Sequence, residues 1–82
     1  MDIKAYQKAT AILDSMKAEE DKKRDLDFIH DKVTNGEVIW VTSASGHTKI
    51  AIRGGLAIRI VELLQQGNNK EIESLQEQLA KL

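Results

Sequence analysis

From Asp2 to Thr34 the chain contains no glycine, and the whole 82-residue sequence contains no proline. A run of that length without a breaker has few alternatives to helix. Within it Ile3, Tyr6, Leu13 and Met16 recur in steps of three or four residues once Thr10 is counted, and Leu26, Ile29 and Val33 resume the phase. Between these two groups, residues 17–25 hold four basic and four acidic side chains and one small apolar one, Ala18. That stretch is expected to stay solvated and to remain helical through the i,i+4 pairs Glu19 with Lys23 and Glu20 with Arg24. One helix over about residues 2–34, roughly 50 Å long at ~1.5 Å per residue, is the preferred reading. A break near residues 20–22, giving two helices, is the alternative. Asn35-Gly36 ends the run, because both residue types tolerate the left-handed conformation of a helix C-terminus.

The character of the sequence then changes. Val38, Ile39, Trp40, Val41 and Thr42 are β-branched or aromatic, Ser45-Gly46 is a turn pair, and residues 48–53 alternate, with Ile50 and Ile52 on one face and Lys49, Ala51 and Arg53 on the other. A two-stranded hairpin over about residues 37–53 follows, and a ribbon of two strands needs another surface to pack on. Gly54-Gly55 leads either into a third strand or into a helix. Spacing favours the helix, since Leu56, Ile60, Leu63 and Leu64 fall at i, i+4, i+7 and i+8. Ile72, Leu75, Leu79 and Leu82 continue an amphipathic pattern, giving a helix over about residues 55–82. Gly67 is a possible stop within it, and Asn68 followed by Glu71 resembles a capping box that restarts it. The fold class is therefore α+β, with long helix, antiparallel hairpin and second helix forming one domain.

Size sharpens the expectation. Of the 41% apolar residues eight are alanines, leaving 26 larger apolar side chains, of which three are aromatic. A chain this small stabilises itself only marginally without a disulfide, a metal or a partner subunit. There is no cysteine, so disulfides, thiolate metal sites and thiol nucleophiles are excluded. Two long amphipathic helices extend beyond what a small hairpin covers, and homo-oligomerisation is the expected remedy. An antiparallel helical pair closed within one chain is the competing arrangement. No apolar run approaches the ~20 residues of a membrane span, and the first residues lack the basic-then-apolar order of a secretory signal, so a cytoplasmic protein with no membrane partner is expected.

The formal charge of -1 conceals a segregation: residues 1–36 sum to -1, residues 37–61 to +2 and residues 62–82 to -2. The overall balance disfavours a general nucleic-acid binder, and no helix gathers Lys and Arg on one face for sequence-specific DNA binding. The cationic segment also holds Trp40, His47 and the Gly54-Gly55 pair at a predicted helix start. Unpaired N–H groups at such a start attract anions, and glycines let a phosphate approach closely. The candidate ligand site is accordingly Arg53, Gly54 and Gly55 on phosphate, Lys49, His47 and Arg59 adding charge, and Trp40 stacking on a base. A connection that merely joins strand to helix, with solvated basic side chains and Trp40 in a core, is the plainer account of the same residues. Asp27, His30 and Asp31 share one helix side and have the types of metal ligands, but read better as a solvated face. Ser43, Ser45 and His47 lack an orienting acid, and serine is common in turns. No catalytic motif and no cofactor site is recognised, and the chain is expected not to be an enzyme.

The helix-hairpin-helix layout, with Asn35-Gly36, a second strand ending in Thr48-Lys49-Ile50-Ala51-Ile52-Arg53 and the leucine tail from Glu71 to Leu82, resembles small proteins encoded by phages and mobile elements. Some of these are oligomeric sponges for nucleotide signals of bacterial immunity. The resemblance implies a homo-oligomer that holds a small phosphate-bearing, nucleotide-like ligand without turning it over, an anti-defence role. The alternative is a coiled-coil adaptor or protein inhibitor that docks its amphipathic helices on a host or phage protein.

Overall fold

The computed structural model describes residues 2–82. Four elements follow one another: α1 (Ile3–Thr34), β1 (Ile39–Thr42), β2 (Lys49–Ile52) and α2 (Gly54–Ala80). Helix α1 starts where Asp2 stands outside it in extended conformation, its Oδ1 accepting the Ala5 N–H at 2.7 Å and so satisfying one of the free donors of the first turn. It runs unbroken through the charged middle. Its end is closed by Glu37 N–H donating to Lys32 O at 3.0 Å and Gly36 N–H to Val33 O at 3.1 Å, with Gly36 at φ 90. The glycine, and not Asn35 at φ -83, takes the left-handed position that this closure requires. The i,i+4 pairs expected within residues 17–25 do not form. Lys22 instead reaches back to Glu19 at 3.1 Å, Lys23 forward to Asp27 at 3.1 Å and Arg24 back to Asp21 at 3.5 Å.

The strands pair antiparallel in the register Ile39 with Ile52, Trp40 with Ala51, Val41 with Ile50 and Thr42 with Lys49. The hairpin therefore presents Ile39, Val41, Ile50 and Ile52 on one face and Trp40, Ala51, Thr42 and Lys49 on the other. Gly54-Gly55 leads into helix, and a third strand does not occur among the described residues. Helix α2 is continuous through Gly67, so the stop there and the restart at Asn68 are both corrected. Gly67 lies in the helix interior without a positive φ, and Asn68 is spent on a contact with the other helix.

The two helices lie antiparallel. Val33 near the end of α1 packs against Ala57 and Val61 near the start of α2, while Glu19 in the middle of α1 meets Asn68 further along α2. The best-buried cluster is Val33, Ala57 and Val61, with Ile29, Ile39, Ile52 and Ile58 packed around it. The apolar face of the ribbon thus caps the end of the helix pair through its Ile39–Ile52 rung. From there a narrow seam runs along the helices through buried Leu26 and Leu75, with half-buried Ala5, Ala9, Ile12 and Met16 on α1 and Ile72 and Leu79 on α2. These α1 positions advance by alternate steps of four and three, the repeat of a coiled-coil seam. Ile3, Tyr6 and Leu13, the stripe most visible in the sequence, lie outside it and are exposed. The backbone spans 50 × 27 × 14 Å, the longest dimension set by α1 at ~1.5 Å per residue. Among the described residues no helix is long and apolar enough to cross a membrane.

Because Val61 is 1% exposed at the centre of the cluster, Val61→Ala is expected to lower stability by about 2 kcal/mol. Ile3→Ala, at a position 75% exposed, should change it by less than ~0.5 kcal/mol. Urea unfolding followed by circular dichroism checks both, and equal losses would mean that the seam does not carry the fold.

Candidate functional site

Two regions bring polar chemistry together, and only one of them holds the residues singled out from the sequence. The first is the ribbon end. Register places Trp40 and Lys49 on the same outer face, and the Lys49 ammonium lies 5.7 Å from the Trp40 ring centre, within cation–π range. Trp40 is 62% exposed, so it is not a core residue. Arg53 is extended at φ -142 and ψ 171 immediately before α2, and Gly54 at φ 69 supplies the left-handed turn by which the chain leaves the strand and enters the helix. A side chain at Gly54 would strain that turn. No side chain caps this helix start, and its first turn contains no acidic residue. Arg53, Gly54 and Gly55 are all exposed there, with Arg59 exposed a little further into the helix. Free N–H groups, the positive end of the helix dipole and two guanidinium side chains therefore occur at one end of the molecule.

His47 is placed differently. It sits in the turn at the far tip of the ribbon, about 20 Å along an extended chain from Arg53 at ~3.3 Å per residue. Its backbone N–H donates to Ser45 Oγ at 3.4 Å, Thr48 N–H donates to Ser43 Oγ at 3.3 Å, and the two serine hydroxyls share a 3.1 Å hydrogen bond. The serines are occupied in building the turn. The ribbon end thus has a tip with His47 and a base with Arg53, Gly54 and Gly55, joined by the Trp40–Lys49 face.

The second region is a groove of about 530 Å³ between α1 and α2, walled by Glu19, Lys22 and Leu26 on one side and Leu63, Leu64, Gly67 and Glu71 on the other. Asn68 lines it too. Its Nδ2 donates to both the backbone O and Oε2 of Glu19, each at 2.8 Å, while its Oδ1 is buried and accepts no hydrogen bond from any described residue. The Asn68 amide, helped by Lys22, holds the Glu19 carboxyl below its ordinary pKa against the opposing effect of partial burial. On the opposite side of the helix pair, Asp27 accepts from Lys23 at 3.1 Å and from Gln65 Nε2 at 3.0 Å, and Lys23 above all keeps its pKa low. His30 Nε2 lies 3.7 Å from Glu62. Asp27 and His30 thus turn to separate partners, and no group of three or more potential metal ligands is assembled among the described residues. None of the ribbon residues reaches the groove. Glu19 and Asn68 were hidden in the sequence by their surroundings, a charged run and an apparent cap, although the four-three repeat through residues 5, 9, 12, 16 and 19 does place Glu19 on the seam.

The chain matches no protein-family model, no curated protein and no solved structure.

Glu19 and Asp27 both have folded-state pKa values below the unfolded ones, so they favour the folded state fully above the ordinary carboxylate range, and that contribution is lost as pH falls through their depressed values. Melting temperature is expected to drop on acidification below about pH 4. Asn68→Leu should return the Glu19 pKa towards normal and make that drop smaller. A carboxyl NMR titration beside the melting curves tests this; an unchanged Glu19 pKa in the variant would refute the Asn68 assignment.

Proposed function

We propose that the protein is a non-catalytic binding module that works as a homo-oligomer and uses its cationic ribbon end to hold a small phosphate-bearing, nucleotide-type ligand. The observation that carries this reading is the uncovered apolar surface. Eleven large apolar side chains are exposed among the described residues while five apolar residues are buried. Single exposed apolar residues need no explanation, but Leu56, Leu63 and Leu64 recur at helical spacing along one face of α2, and an apolar face left open on a long helix is the usual mark of an association surface.

The ligand half of the reading is supported by the composition of the ribbon end. An exposed helix start with no side-chain cap and no acid in its first turn is an anion-attracting element, and Arg53 can add a bidentate contact to phosphate. Lys49 beside the exposed ring of Trp40 provides charge and a stacking surface. The described residues of one chain form no enclosed pocket from these groups, so sequestration would draw ribbon ends of two or more subunits around a common ligand. Release of nucleotide signals from a defence pathway would then be countered by binding alone. The adaptor reading shares the association surface and differs in what occupies it.

Sedimentation on serial dilution is expected to give a mass above 9.2 kDa that falls towards that value only at low concentration. A panel of cyclic dinucleotides, ADP-ribose derivatives and simple nucleotides should contain members that raise the melting temperature, a ligand at a hundredfold its Kd contributing about 2.7 kcal/mol. Arg53→Ala should abolish that rise while leaving helicity unchanged. No shift with any member would remove the ligand half of the proposal and favour a protein partner.

A further inference from the structure

We propose that the outer face of the ribbon, turned away from the Ile39–Ile52 rung, binds a dinucleotide-type ligand: one nucleobase stacks on Trp40 while Lys49 and Arg53 hold the phosphates on either side of it. The inference rests on the ligand half of the reading above and narrows it, naming the ligand class and placing the contact on one chain.

Strand register makes the arrangement. Trp40 stands opposite Ala51, so the largest side chain of the face has a small neighbour across the strand pair, and the ring stays 62% exposed. Lys49 and Arg53 lie two residues before and two after Ala51, which makes them the diagonal neighbours of Trp40 at about 7–8 Å, within reach of long side chains. Arg53 follows the last paired residue, but its extended backbone at φ -142 and ψ 171 keeps the alternation and leaves it on this face. The face therefore reads cation, ring, cation.

Charge selects what fits. Residues 38–61 contain no Asp or Glu, and neither Lys49 nor Arg53 makes an ion pair with a described residue. The Lys49 ammonium lies instead over the Trp40 ring, 5.7 Å from its centre. Cations on an edge strand discourage ribbon-to-ribbon pairing, but an exposed tryptophan between them works against that end. A free phosphate would meet a cation and leave the ring bare, and an uncharged aromatic would meet the ring alone. A nucleobase with phosphate on its 5′ and 3′ sides meets all three groups. On binding, the base takes the place of the Lys49 ammonium over the ring and Lys49 turns to a phosphate. Stacking and a charge-assisted hydrogen bond then replace an exposed cation–π contact, the weaker interaction.

Trp40 is the only tryptophan, so its fluorescence reports the site directly. With the full chain at low salt, a 5′-phosphorylated deoxyadenosine dinucleotide should quench it saturably, and log K should fall against log salt with a slope of about -1.4 for two phosphates. Deoxyadenosine monophosphate, which presents one phosphate, should bind about tenfold more weakly, and pyrophosphate should not quench. Lys49→Gln should weaken the dinucleotide about tenfold and make the slope shallower by about 0.7, whereas Lys8→Gln, exposed on α1, should change neither. Ala51→Leu should abolish quenching with the melting temperature retained, because the larger side chain lies against the ring without disturbing the strand pair. An octanucleotide should give no steeper slope than the dinucleotide, since the face carries two cations; a steeper one would assign the face to longer single strands and overturn the dinucleotide class. Quenching that survives Ala51→Leu, or equal affinity for mononucleotide and dinucleotide, refutes the site. If no dinucleotide binds while another nucleotide still raises the melting temperature through Arg53, this inference falls and the ligand reading above stands; if no nucleotide binds, both fall.

Discussion

Two helices lying side by side can cover only the stripe that each turns towards the other. That limit governs this protein, because among the described residues no further layer of structure lies over the pair. The deepest packing accordingly occurs at one end, where a third element is present. There the Ile39–Ile52 rung of the ribbon closes over Val33, Ala57 and Val61, and three elements together exclude water from side chains that two could only shield. Away from the ribbon the seam narrows to alanines, Ile12, Met16 and scattered leucines, and helical order rests on the pairing of α1 with α2. Most of the stability of helices in a folded protein comes from packing an apolar face against a neighbour, and for α1 and α2 that neighbour is chiefly the other helix.

The punctuation of the fold was legible because glycine has a physical reason to stand where a chain reverses. Gly36, Gly46 and Gly54 all adopt positive φ, and they bound the helix, the turn and the second helix as read from the sequence. Gly67 shows the limit of that logic. A glycine ends a helix when the following backbone needs a left-handed residue, and here regular helix continues on both sides without one. Asn68 was misread for a related reason. Its amide serves equally as a cap or as a cross-helix donor, and only the position of Glu19 on the neighbouring helix decides between them.

Which stripe is buried was the least legible feature. Hydrophobicity alone points to Ile3, Tyr6 and Leu13 on α1 and to Leu56, Leu63 and Leu64 on α2, yet these are exposed, and the seam runs instead through Ala5, Ala9, Ile12, Met16 and Leu26 on α1 and Ala57, Val61, Ile72, Leu75 and Leu79 on α2. Small side chains let helix backbones approach, and the four-three repeat of Ala5, Ala9, Ile12, Met16 and Glu19 follows that geometry better than it follows hydrophobicity. A single polar pair within such a seam fixes register and direction, because sliding by one turn would leave the Asn68 amide and the Glu19 carboxylate buried without each other. At the ribbon, residue types were legible but their distribution was not. Strand register decides that Trp40 shares a face with Lys49, and the length of the strand decides that His47 is far from Arg53.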